Sequence, residues 1–186
     1  MITFSFKGKN SKDFGIYALE EDRVLRPEQS DNEVVVPGRH GSYDFGNNTY
    51  RNRQISLELG ILGDYTPTEL RQKIRELAYW LDGKGKLIFD DEPDKFYDAK
   101  VYEFVPFSIY GSNNFRDLNF NAGTATVVFS CFPFAKTDVK TRDLEIGSNK
   151  LNYKGTAQMP TLIKIKNVGS NTINKIQITH LKKRKQ

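Results

Sequence analysis

Four carboxylates fall within five positions, Asp90, Asp91, Glu92 and Asp94 around Pro93. Clustered oxygens suit a hard cation, and paired carboxylates suit the acid and base of glycoside hydrolysis. The spacing is not that of an EF-hand loop, because the central Gly and the closing Glu are missing. Acidic residues around a Pro between two strand-like segments also make an ordinary polar turn, and this is the simpler reading. Gly83-Lys84-Gly85-Lys86 has the composition of a phosphate loop but not its spacing. It follows a helical pattern and precedes a strand, the reverse of what places an anion at a helix N-terminus. Cys131 lies in an apolar strand between Ser130 and Phe132, the setting of an inert thiol. His40 sits in a Gly-flanked turn with no neighbour in sequence to work with, and no G-x-S-x-G elbow occurs. The sequence therefore predicts no catalytic residue, no metal and no cofactor.

The elements that would have to position any such chemistry are mostly strands. The clearest is Arg53–Leu59, where Ile55, Leu57 and Leu59 alternate with polar residues. Shorter strands are expected at Ile2–Phe6, Gly15–Leu19, Glu33–Val36, Lys86–Phe89 and Lys100–Val105, and a long one at Thr124–Phe132. One helix is expected. Thr66 caps it, Pro67 occupies its first turn and Glu69 completes a capping box. Leu70, Ile74, Leu77, Ala78 and Leu81 form its apolar face, and Gly83 ends it. Trp80 packs against the sheet rather than stacking on a ligand. The fold class is α+β, mostly β.

The chain has 186 residues, 38% of them hydrophobic, with one Cys and two His. One Cys excludes an internal disulfide and a Cys-built metal site. No apolar run approaches the ~18–20 residues of a membrane helix. The opening residues read as a strand, without the basic leader of a secretory signal. The expectation is a soluble chain without membrane contact. The net charge is +5, four charges of which sit in Lys182-Lys183-Arg184-Lys185. That leaves a nearly neutral body with a basic tail, whereas a nucleic-acid binder usually carries its basic face through the fold. The region from Phe134 to Lys154 reads as a boundary, polar at Lys136–Asp143 and turn-like at Ile146–Lys150. Beyond it, Pro160–Asn167 and Thr172–Thr179 are expected as two alternating strands, too few for an independent sheet domain. The domains are thus expected at 1–140 and 145–181, with a basic tail at 182–186.

Several segments together resemble the distal tail protein family of siphophages and prophages. They are Phe4-Ser5-Phe6-Lys7-Gly8 with Asp13-Phe14-Gly15-Ile16, then Val36-Pro37-Gly38-Arg39-His40-Gly41-Ser42-Tyr43, then Arg53-Gln54-Ile55. The most specific is the helix Leu70–Leu81 running into Lys86-Leu87-Ile88-Phe89 and the acidic turn up to Tyr97. The resemblance covers residues 1–135. It implies a tail-tube-like N-terminal domain, a β-sheet or barrel with one packed helix. It implies a structural role in the virion tail, with synthesis in the bacterial host cytoplasm. It implies a homo-oligomeric, hexameric ring that joins the tail tube protein to the tail-associated and receptor-binding proteins of the baseplate. DNA would pass transiently and without specificity through the lumen. Many members continue into a galectin-like β-sandwich, and residues 145–181 resemble its opening. A full sandwich needs roughly 100 residues, so the segment is incomplete.

The stretch from Pro37 to Tyr50 is rich in Gly, Asn and Tyr and poor in aliphatic residues. It is expected to project as an arm toward a neighbouring subunit, with Pro37, Gly38, Arg39, Gly41, Tyr43 and Phe45 as its contact residues. A plain surface loop is the alternative for this stretch. The alternative function is a carbohydrate-binding β-sandwich module of a tail or cell-surface adhesin, with Tyr43 and Tyr50 as the platform. Hydrolysis by the carboxylates at 90–94 and single-strand nucleic-acid binding by Lys182–Lys185 are two further readings, disfavoured by the missing motifs and the terminal position of the charge.

Overall fold

A computed structural model describes residues 2–30, 33–46, 49–61, 65–104, 107–111, 121–157 and 161–179. It divides into two compact units, Met1–Glu145 and Ile146–Gln186.

In the first unit the alternating runs become strands. They are β1 (Phe4–Phe6), β2 (Lys9–Asn10), β3 (Ile16–Arg23), β4 (Glu33–Val35), β5 (Ser42–Asp44), β6 (Arg53–Ile61), β7 (Lys84–Phe89), β8 (Tyr97–Phe104), β9 (Ser108–Gly111) and β10 (Asn121–Cys131). The helix α1 (Pro67–Leu81) lies between β6 and β7, and a 3-10 turn spans Ser11–Phe14. Eight strands form one antiparallel sheet in the order β2-β1-β7-β8-β10-β6-β3, with β9 on the end of β10. The longest ladder joins β10 to β6. It sets Phe129 opposite Ile55, Val127 opposite Leu57 and Ala125 opposite Leu59, all buried on one face. Cross-strand apolar pairs of this kind fix the register, since a one-residue slip would turn every one of them to solvent. Gly123 in β10 is required by a close approach: the Phe107 ring lies where its Cβ would stand.

The helix starts and stops as its sequence dictates. The Thr66 hydroxyl accepts from the Glu69 amide at 3.3 Å, and Glu69 accepts from the Thr66 amide at 2.8 Å. Gly83 takes φ +82° just beyond the end, a left-handed conformation that other residues adopt at a cost. The buried face is Leu70, Leu77, Trp80 and Leu81, with Ile74 half-buried. Ala78 lies exposed and does not belong to that face, a correction to the periodic reading, and Trp80 takes the place beside Leu77. Trp80 stacks on Phe14 at 4.4 Å and on Phe4 at 5.8 Å, and its indole N–H donates to the Phe6 carbonyl at 2.9 Å. One aromatic thereby joins the helix, the first strand and the 3-10 turn.

Of the sheet or barrel expected, the described residues form an open sheet: its path ends at β2 and β3, and a single bridge joins Ile2, just before β1, to Ala18 in β3. One expectation needs correction. In the second unit the described residues form no strand, so residues 161–167 and 172–179 of the expected alternating segments are not strands here. Alternation prepares a face but supplies no partner strand, and two strands alone do not outweigh the entropy of ordering them.

Candidate functional site

The residues between β3 and β6 leave the large sheet and return to it as a hairpin. At its root Gln29 bridges Tyr50, the Ser30 amide donates to the Thr49 carbonyl at 2.9 Å, and the Arg51 amide donates to the Glu28 carbonyl at 2.9 Å. Farther out β4 and β5 pair, with Glu33 opposite Asp44, Val34 opposite Tyr43 and Val35 opposite Ser42. Among the described residues this is a separate two-stranded sheet, joined to no strand of the large one. At the tip the Arg39 amide donates to the Val36 carbonyl at 3.2 Å, closing a turn through Pro37 and Gly38. The Gly38 φ of +83° explains why glycine stands at this corner.

The root is anchored and the tip is not. Arg26 lies over the Tyr50 ring at 5.7 Å, Tyr50 meets Phe134 edge-on at 5.2 Å, and Arg51 pairs with Glu28 at 3.3 Å. Beyond this root every described residue from Glu33 to Gly46 whose side chain is placed is exposed. Val35 is 74% and Phe45 65% exposed, with Val34, Val36 and Tyr43 nearly half so. Five large apolar side chains on an arm without a core, beside two strand edges unpaired among the described residues, make a surface suited to another chain.

All six expected arm residues lie on this hairpin: Pro37, Gly38, Arg39 and Gly41 in the tip, Tyr43 on β5 and Phe45 just after it. Val34, Val35 and Val36, expected only as a strand, add to the exposed apolar surface of this hairpin. The signal was available, as a branched run ending directly in Pro-Gly. The two tyrosines of the sugar-platform reading are already engaged. Arg39 covers the Tyr43 ring at 3.8 Å, and Tyr50 is packed in the root.

The acidic turn is neutralised by the protein's own groups. Asp90 accepts from the Thr3 hydroxyl and from Asn10 at 3.2 Å, with Lys12 at 3.5 Å. Arg23 reaches Asp91 at 2.5 Å and Glu92 at 3.7 Å, holds Glu21 at 2.6 Å and stacks on Phe89 at 4.2 Å. Lys95 pairs with Glu92 at 2.6 Å. The Thr3 hydrogen bond is the largest influence holding the Asp90 carboxyl below its usual range, with Asn10 and Lys12 adding to it against some burial. A carboxyl held ionised in this way is a poor general acid. Among the described residues no group of three or more His, Cys, Asp and Glu is placed to hold a metal. The turn ties β3 and the segment before it to the end of β7. Burial pushes the Cys131 thiol up to about 12, so Cys131 is no nucleophile at neutral pH. His40 is exposed at the hairpin tip. Among the described residues no helix is long and apolar enough to cross a membrane. The basic run at 182–185 lies outside the described residues.

Comparison with known proteins agrees with the resemblance drawn from the sequence. The sequence profile of the phage tail protein RIFT-related domain matches residues 3–131. Among solved structures the fold is similar to that of the Dit protein (gp 19.1) of phage SPP1, presented as a paradigm of the hub adsorption apparatus in phages infecting Gram-positive hosts. The TM-score is 0.56 at 18% identity, over 74% of this chain and 52% of the other. The chain thus spans about half the length of that structure. No curated protein matches the chain.

Proposed function

The chain belongs to the phage tail protein RIFT-related domain family, and on that premise we propose that it is a ring-forming hub at the distal end of the tail. In this reading the ring is a hexamer. It joins the tail tube protein on one side to tail-associated and receptor-binding proteins on the other, and DNA passes through its lumen. The protein works by assembly, not catalysis, in the virion tail after synthesis in the host cytoplasm. Residues 145–181 are the opening of a galectin-like β-sandwich, whose strands form only when further strands cover them.

The observation that carries this reading is the hairpin arm. Its apolar residues are exposed, its edges are unpaired, and its root is fixed by Arg26, Tyr50 and Phe134 so that it projects from the sheet. Closed rings need a heterologous contact repeated with rotation, and a projecting arm on one side of each subunit supplies one half of it.

Light scattering over a concentration series, with negative-stain images of the same sample, tests the ring. The expected species has six chain masses and a central hole. Removing Gly41–Asn48 is expected to leave a folded monomer with the thermal transition of the intact chain and to abolish rings. Rings formed by this deletion variant would overturn the role of the arm. A strict monomer at every concentration, with tail tube protein present as well as absent, would overturn the hub itself.

A further inference from the structure

The hairpin arm supplies one half of a contact, and the sheet beside its root carries a surface suited to the other half. Where β3 ends and β6 begins, Val24, Arg26, Pro27, Arg51 and Arg53 line a cleft of about 370 Å³. Three Arg among the lining residues stand against one carboxylate, Glu28. Arg51 already holds Glu28 at 3.3 Å. Arg26 and Arg53 pair with no carboxylate among the described residues. Their hydrogen bonds go to neutral oxygens: Arg26 donates to Gln29 at 3.3 Å and to the Tyr50 hydroxyl at 3.4 Å, and Arg53 to the Tyr97 hydroxyl at 3.3 Å. Between Val24 and Arg26 on the cleft wall, Leu25 is 98% exposed. The cleft is thus cationic with an apolar rim.

The arm has the complementary pattern. The β4–β5 register sets Glu33 opposite Asp44, two like charges at one cross-strand position, which weakens a hairpin until a cation approaches it. Glu33 pairs with no Lys or Arg among the described residues, so in its own chain it does not reach Arg26 or Arg53. Val34 follows Glu33 and Phe45 follows Asp44, both exposed. An acidic end flanked by apolar side chains matches a cationic cleft with an apolar rim, and matched charge also sets the register of a contact. The arm does not fill the cleft of its own chain. Arg26 with Tyr50 and Arg51 with Glu28 belong to its root, so the arm leaves from the edge of the cleft. Resting on the ring-forming reading above, we propose that this cleft receives the arm of an adjacent copy of the chain. The acidic end of the arriving β4–β5 ladder meets Arg26 and Arg53, and its apolar side chains cover Val24 and Leu25. Each copy then offers one arm and one cleft, the heterologous pairing that repeats around a ring.

Two charge-reversed chains test the contact, by light scattering and negative-stain images. Glu33→Arg and Arg26→Glu each set like charges against one another in every arm-to-cleft contact. Each variant alone is expected to keep its thermal transition and to stay monomeric at concentrations where the intact chain forms rings. An equimolar mixture of the two is expected to restore rings. Where the chains alternate, the reversed arm of one meets the reversed cleft of the other, every remaining contact is the natural one, and a six-membered ring admits this alternation. A root loosened by Arg26→Glu would stay within its own chain, where mixing cannot mend it, so a mixture that remains monomeric overturns the proposal. Rings formed by either variant alone also overturn it; if removal of Gly41–Asn48 still abolishes rings, the arm keeps its role and only the cleft is lost. An intact chain that forms no rings, with tail tube protein present as well as absent, overturns the hub and the cleft together. Leu25→Asp provides a second test that does not depend on the folding of Arg26→Glu, because this side chain stands in solvent in the free chain. Rings are expected to need about tenfold more of this variant, and an unchanged assembly concentration overturns the proposal.

Discussion

Asp90 shows how a residue that invites a catalytic reading becomes structural. Its carboxylate is the meeting point of Thr3, Asn10 and Lys12, which come from the start of the chain. Because these partners favour the charged form, the folded pKa lies below the unfolded one. The stabilisation is then present above the unfolded value of about 3.9 and is lost as pH falls through the folded value. Asp90→Asn is therefore expected to lower the thermal midpoint at pH 6–7, with the gap to the natural protein closing progressively below about pH 4. A gap that stayed constant down to the acid limit would mean that charge plays no part. The turn itself was legible from Pro93 and its neighbours. What could not be read was Arg23, 68 residues before Asp91, because an ion pair between distant positions leaves no local pattern. The same holds for Trp80: its place on a helix was readable, its hydrogen bond to the Phe6 carbonyl was not.

The elements differ in legibility for a physical reason. α1 carries its own punctuation, so cap, first-turn proline and terminal glycine fix it without reference to the rest of the chain. Thr66→Ala removes the cap acceptor from the Glu69 amide and is expected to destabilise the unit by about 1 kcal/mol, read from a urea midpoint with unchanged slope. Thr66→Ser should restore most of it, because the hydroxyl is the working group. Loss of stability in both variants alike would point instead to packing by the Thr methyl. β6 was legible because its alternation is strict, and β10 because its run of branched and aromatic residues is long. β2, β5 and β9 were not expected; each is two to four residues long and is defined by its partner strand. β5 exists only because β4 lies opposite it, and the arm was therefore expected as a stretch of composition rather than as a paired hairpin.

At the scale of the whole chain, local pattern sets which residues face inward but not which strands are neighbours. Nothing in β1 announces that it sits between β2 and β7, or that Ile2 reaches back to Ala18. Those pairings follow from burying one shared core, in which Phe4, Phe6, Trp80 and Phe129 meet. The opposite case is the segment 161–179, where the pattern is present and the structure is not. Its isoleucines alternate as they would on a strand, yet Ile165, Ile173, Ile176 and Ile178 are all about half exposed. Exposure without ladder hydrogen bonds implies a low local opening energy, whereas β6 and β10 are paired along their length and buried on one face. Amide hydrogen exchange is therefore expected to show strong protection at Ile55–Leu59 and Val127–Phe129 and near-unprotected rates throughout 161–179. Strong protection of 161–179 in the free chain would mean that these residues pair without help, and the alternation would then be sufficient to make strands. Protection appearing there only when a partner is added would instead identify ordering on binding, the behaviour expected of apolar alternation whose neighbouring strands come from outside the segment.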